Sequence, residues 1–99
     1  MADRDILQID PVKLHLPNSL RDGADFLKLQ RQFARYGKST NGMPPLEVSR
    51  GIDGAYVIND GVTRATRVAR YLPGHLVTVE VIDEIPISVA DFLTIGETL

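Results

Sequence analysis

Apolar and polar positions alternate twice near the start of the chain, in Ile6-Leu7-Gln8-Ile9 and in Val12-Lys13-Leu14-His15-Leu16. Asp10-Pro11 separates the two runs and Pro17-Asn18 ends the second. Alternation at period two predicts extended strands, and Pro11, which lacks an N–H, belongs at an edge or a break. The period then changes. Phe26, Leu29, Phe33 and Tyr36 recur at intervals of three, four and three, one face of a 3.6-residue turn, which predicts a helix from Asp22 or Ala24 to Tyr36. Ser19-Leu20-Arg21-Asp22 has the spacing of a capping signal ahead of it, and Gly37 stands where a left-handed C-terminal cap is needed. Lys28, Arg31 and Arg35 lie on another face of this helix.

Residues 37–45 read as a loop, being Gly, Lys, Ser, Thr, Asn, Gly, Met, Pro and Pro. Leu46-Glu47-Val48-Ser49-Arg50 alternates, Gly51-Ile52-Asp53-Gly54 turns, and Ala55-Tyr56-Val57-Ile58 returns, a predicted β-hairpin. Asn59-Asp60-Gly61 closes that strand, and a helix follows from Val62 to Tyr71 or Leu72, stopped by Pro73-Gly74. Ala65, Val68, Ala69 and Leu72 form its core stripe, with Arg64, Arg67 and Arg70 lying away from it. Residues 76–82, rich in Val and Ile, predict the clearest strand, placed centrally. Beyond Pro86, Ser88 to Asp91 again has capping spacing, and Phe92, Leu93 and Ile95 fit a short helix stopped by Gly96 or an edge strand. The sum is an α+β domain: a small mixed, mostly antiparallel sheet packed with two main helices.

Ninety-nine residues, 43% of them hydrophobic, suffice for one modest core. We therefore expect one domain over residues 1–99, with its core at about 5–84 and a C-terminal extension at 85–99. The absence of cysteine removes disulfides, thiolate metal sites and a cysteine nucleophile, and two separated histidines, His15 and His75, make a poor metal set. No apolar run approaches the roughly 20 residues that span a bilayer, and the first five residues do not resemble a signal peptide, so a cytoplasmic protein without membrane contact is expected. The net charge of −2 conceals an asymmetry. Residues 21–70 hold nine basic and five acidic residues, whereas residues 71–99 hold no Lys or Arg and five acids. A basic middle suits an anion-binding surface, though charges also simply solvate helix faces.

The junction between residues 58 and 70 carries the sharpest chemistry. A helix opening directly after a strand presents unpaired N–H groups, and its dipole favours negative charge there. Gly61 permits close backbone approach, Thr63 adds a hydroxyl, and Arg64 adds a planar fork matched to phosphate. These make a cradle of phosphate size. The same residues also suit a plain turn in which Asn59 or Asp60 caps the helix and Arg64 meets water. Elsewhere the readings are quieter. Glu80, Asp83 and Glu84 read as a solvated strand end, His75 as a surface loop residue, and His15 as facing solvent from a strand. Tyr36, Tyr56 and Tyr71 read as core or rim residues.

Three runs together resemble the ParB N-terminal/sulfiredoxin-like superfamily: Gly42-Met43-Pro44-Pro45-Leu46-Glu47-Val48, then residues 53–67 with Gly61-Val62-Thr63-Arg64, then residues 76–83. That family has an extended start, a helix ending in Gly, a proline-containing loop, a hairpin, a Gly-x-x-Arg turn opening a helix, and a final strand. The resemblance spans residues 9–83. It implies that Gly61, Thr63 and Arg64, with Asn59, Asp60, Val62 and Arg67 beside them, meet a phosphate, and that a Pro-Asn loop at Pro17, Asn18 and Arg21 joins the pocket. It further implies a nucleotide, CTP or ATP with Mg²⁺, or a nucleic-acid backbone as partner. Val62 stands where sulfiredoxins carry the catalytic cysteine and where other members carry a polar or acidic residue. Reductase chemistry is therefore not expected, and nucleotide hydrolysis and nuclease activity lose their usual residue. Sixteen residues beyond Asp83 leave no room for the helix-turn-helix of partition proteins, so sequence-specific operator binding is not expected. Three functions follow: a phosphate-binding module without strong catalysis; a protein-interaction or immunity-type accessory factor with an acidic surface for a basic partner; and a Mg²⁺-dependent nuclease or nucleotide hydrolase using Asp60 or Glu47.

Overall fold

The computed structural model describes residues 5–20 and 23–99. Four strands form one mixed sheet: β1 (Asp5–Ile9), β2 (Leu46–Arg50), β3 (Tyr56–Asp60) and β4 (Val77–Glu84), in the order β1-β4-β2-β3. β4 runs antiparallel to β1 and parallel to β2, while β2 and β3 form the antiparallel hairpin. The β-branched 77–82 segment thus lies inside the sheet, as its near-continuous apolar character requires. Three helices complete the α+β domain: α1 (Phe26–Tyr36), α2 (Val62–Tyr71) and the single turn α3 (Ile95–Thr98).

One sheet face carries the core. Val62, Ala65, Val68 and Ala69 of α2 pack on Leu46, Val48, Ile58, Val77, Val79 and Val81, and Leu14, Leu16 and Ile95 close the cluster. Residues 85–95 are part of this structure. Asp53 ties them down by accepting hydrogen bonds from the Ser88 hydroxyl at 2.6 Å and from the Val89 and Ala90 N–H groups at 3.2 and 2.8 Å. Val89 and Ile95 behind it are fully buried.

Several sequence expectations are corrected here. The expected strand over residues 12–16 is instead a 3-10 turn, Pro11–Lys13, capped by the Asp10 carboxylate, followed by a short extended piece. A proline after a capping aspartate starts a helical turn more readily than it joins a ladder. His15 is half-buried rather than freely facing solvent. It lies between β3 and residue 94 with bridges to Val57 and Thr94, and its Nδ1 is 2.8 Å from the Phe92 carbonyl. Leu14 and Leu16 on either side are buried, as their alternation foretold.

α1 begins at Phe26, capped by Asp25, which accepts from the N–H groups of Leu27 and Lys28. The expected signal at Ser19 does not set this start, and its partner Asp22 lies outside the described residues. Of the expected apolar face only Leu29 is buried; Phe26 is 68% exposed, and Phe33 stacks on Tyr71 with ring centres 4.4 Å apart. The reason is that α1 rests on α2 rather than on the sheet. Gly37 caps it with φ 58°, as expected. At the far end the cap is Thr94 with Glu97, rather than Ser88 with Asp91, and Gly96 lies inside α3.

Candidate functional site

β3 runs through Asn59 and Asp60, so the chain turns into α2 at a single residue, Gly61. Its φ of 107° lies in the left-handed region that a side chain resists. A Cβ there would also collide with Leu46 and stand 2.9 Å from Arg64 Nη2. No side chain caps α2. Asn59 instead donates to the Ser49 hydroxyl at 2.7 Å, and Asp60 pairs with Arg64 at 3.6 Å. The plain capped turn that the sequence also allowed is therefore absent: the opening N–H groups of α2 keep their capacity for an incoming acceptor.

Each expected site residue has a definite place. Thr63 is half-buried at the helix opening, and the Arg64 side chain, 18% exposed, folds back over Gly61. Val62 is buried in the core, so only its backbone faces the opening. Together with Lys28, Gln32, Asn59, Asp60 and Leu20 these residues line an open depression of about 440 Å³. Leu20, from the 3-10 turn Asn18–Leu20, takes the place expected for Pro17 and Asn18, neither of which lines this depression. Arg21 lies outside the described residues.

Arg67 is the main correction. The sequence places it away from the core stripe; the structure leaves it 2% exposed. Its Nη1 donates to the carbonyls of Gly37 and Ser39 at 3.0 and 2.7 Å, and its Nη2 lies 3.8 Å from Met43 Sδ. The guanidinium stacks on Tyr36 at 5.3 Å. Burial pushes its pKa down, opposed by Tyr36. It thus anchors the 37–43 loop to α2, and its Nε is buried without a hydrogen-bond partner. Stripe assignment fails because the loop wraps over a face of α2 that would otherwise meet water.

Arg67 and Arg64 line a partly enclosed cavity of about 210 Å³ with Gln32, Tyr36, Asn41 and Met43. A third depression, lined by Lys28, Arg31, Gln32, Arg35, Tyr36 and Thr63, lies between the helices. Gln32 borders all three, which makes them parts of one cleft between α1 and α2. Among the described residues, five cations (Lys28, Arg31, Arg35, Arg64 and Arg67) and one carboxylate, Asp60, line it. Its potential is therefore positive and, in a concave wall, focused. The basic face of α1 was visible in the sequence, but Gln32, Tyr36, Asn41 and Met43 were not assigned to a site. Gln32 could have been found, since it stands four residues after Lys28 and so on the same helical face.

Asp60 and Glu47 are cross-strand partners, but among the described residues no group of three or more His, Asp or Glu gathers to hold a metal ion. No helix among them is long and apolar enough to cross a membrane. Compared with protein-family models, curated proteins and solved structures, the chain matches none.

Proposed function

We propose that this chain is a binding module for a phosphate-bearing ligand, a nucleotide or a nucleic-acid backbone, held at the opening of α2 and in the basic cleft beside it. One observation carries the reading: α2 opens at Gly61 with no side-chain cap, and among the described residues five cations against one carboxylate line the cleft it faces. An anion there accepts from the free N–H groups, meets the favourable end of the helix dipole and draws the fork of Arg64. The resemblance to ParB/sulfiredoxin-like proteins supports the same placement at Gly61, Thr63 and Arg64. The core position of Val62 supplies no reacting group, which favours binding over catalysis.

The test is a titration with CTP, ATP, GTP and short DNA, with and without Mg²⁺, at low salt. Binding is expected to weaken about tenfold or more in Arg64→Ala, the loss of one charged hydrogen-bonding partner. Binding that is absent at millimolar nucleotide and DNA, or unchanged in that variant, overturns the proposal. A second reading, a docking module for a basic protein, draws on the exposed acids Asp83, Glu84 and Asp91, all outside the cleft. A host protein captured through those acids, with no nucleotide or DNA binding, would establish it instead.

A further inference from the structure

Phosphate held at Gly61 leaves Arg67 unexplained. Of the five cleft cations, Lys28, Arg31 and Arg35 reach water and Arg64 reaches Asp60. Arg67 has neither recourse. Two carbonyl oxygens, a thioether and a tyrosine face hold its outer nitrogens, no carboxylate among the described residues lines its cavity, and its Nε has no partner among them. Buried guanidinium groups are ordinarily paired with an acid. The same cavity is bordered by Gln32, whose Oε1 is also buried and without a partner. A side-chain amide whose acceptor is unused can turn over and present its NH₂. An unmatched cation on α2 and a reversible amide on α1, both bordering this cavity, form a complement to an oxyanion.

We propose that this cavity is a second oxyanion subsite, and that the ligand is a condensed phosphate whose end group enters it. The proposal rests on the phosphate reading of the Gly61 site. Arg64 lines both recesses and so joins them. Six residues of helix separate Gly61 from Arg67, about 9 Å of rise, and helical side chains lean back toward the N-terminus, which shortens the gap to the reach of a few linked phosphates. The cavity lies between α1 on one side and the 37–44 loop on the other. A recess of about 210 Å³ between those walls suits a terminal phosphate group rather than a continuous nucleic-acid backbone.

The experiment is calorimetric titration of the full chain with inorganic orthophosphate, inorganic tripolyphosphate and a short single-stranded DNA at fixed ionic strength. Asn41→Asp, on the loop wall and outside the Gly61 depression, places a built-in counter-ion in the cavity with Arg67, and Ser39→Asp does so from the same wall if the first variant does not fold. Gln30→Glu, exposed and outside the cleft, controls for charge. In the unaltered chain tripolyphosphate is expected to bind at least about tenfold tighter than orthophosphate. Asn41→Asp should erase that margin and raise Tm, with orthophosphate binding within about twofold because Asn41 lies outside the Gly61 depression, whereas Gln30→Glu preserves the margin. A smaller margin in the unaltered chain, a margin that survives Asn41→Asp, one equally lost in Gln30→Glu, or tighter binding of DNA than of tripolyphosphate overturns the second subsite. The Gly61 reading outlives each of those results provided that Arg64→Gln weakens orthophosphate binding. Orthophosphate binding indifferent to Arg64→Gln, or absent altogether, overturns the Gly61 reading itself.

Discussion

At the scale of single residues, Gly61 and Asp53 bear burdens that no neighbour can take over. Gly61→Ala forces a side chain into the left-handed region and against Leu46. The backbone penalty is roughly 1–2 kcal/mol and overpacking adds about 1–3 kcal/mol, so a loss of stability near that sum is expected in urea unfolding. Asp53 presents a different case. The Ser88 hydroxyl, then the Ala90, Ala55 and Val89 N–H groups, hold its carboxyl at about 2, below its ordinary value of 3.8. A carboxyl whose pKa is depressed by folding stabilises the fold above its unfolded pKa and loses that contribution as it is protonated. The clasp on residues 88–90 should therefore hold fully above pH 4 or so and fail progressively toward the folded value of about 2. Proteolysis of the C-terminal segment, or amide exchange at Val89 and Ala90, should rise over that interval. In Asp53→Asn the step should vanish, with exchange already fast at neutral pH.

Among the elements, α1 is the most weakly held. It has eleven residues, and Leu29 alone among them is buried. A helix of that length is marginal in isolation, so its stability comes from Leu29, the Phe33–Tyr71 contact and its two caps. Amide exchange in α1 should outpace that in α2 and β4 by orders of magnitude, and Leu29→Ala should melt α1 while leaving the sheet intact. Phosphate ligands bridging Lys28, Arg31 or Arg35 to Thr63 and Arg64 should slow that exchange; equal protection with and without ligand would contradict the cleft. The same element shows what the sequence reveals. Periodicity gave the helix and Gly37 its end, because both are local effects. It also gave most of the side that faces α2, since Leu29 is buried, Phe33 meets Tyr71 and Tyr36 lies against Arg67; Phe26, 68% exposed, is the member of that stripe that only looks like core. Arg67 shows the converse: its burial depends on a loop about thirty residues away in sequence. The hairpin and the central place of β4 were legible from alternation and β-branching, while the Pro11 turn overrode a run that alternates just as cleanly.

For the whole molecule, charge is largely sorted in space as well as in sequence. Lys28, Arg31, Arg35, Arg64 and Arg67 gather between the helices, whereas Arg50 pairs with Asp5 and Glu84, and Asp83 and Asp91 also lie outside that cleft. Should DNA be the ligand, the logarithm of its affinity is expected to fall linearly with the logarithm of salt concentration. With up to five phosphate contacts on single strands the slope would be no steeper than about −3.5. Filter binding across a salt series measures it, and an affinity insensitive to salt would rule out backbone recognition.

The arrangement of His15 has a consequence for the chain's far end. The 14–16 segment shields one border of the sheet, donating from His15 to the Tyr56 carbonyl and accepting from the Ile58 N–H, and the 93–95 segment in turn seals it through Leu16 and Ile95. A protein shortened after Phe92 would lose this outer seam, draw Ile95 out of the interior and bare the Leu14–Leu16 ribbon to neighbours. Such a shortened form should gather into insoluble aggregates by strand-to-strand accretion, so the last seven residues serve as a guard against self-adhesion.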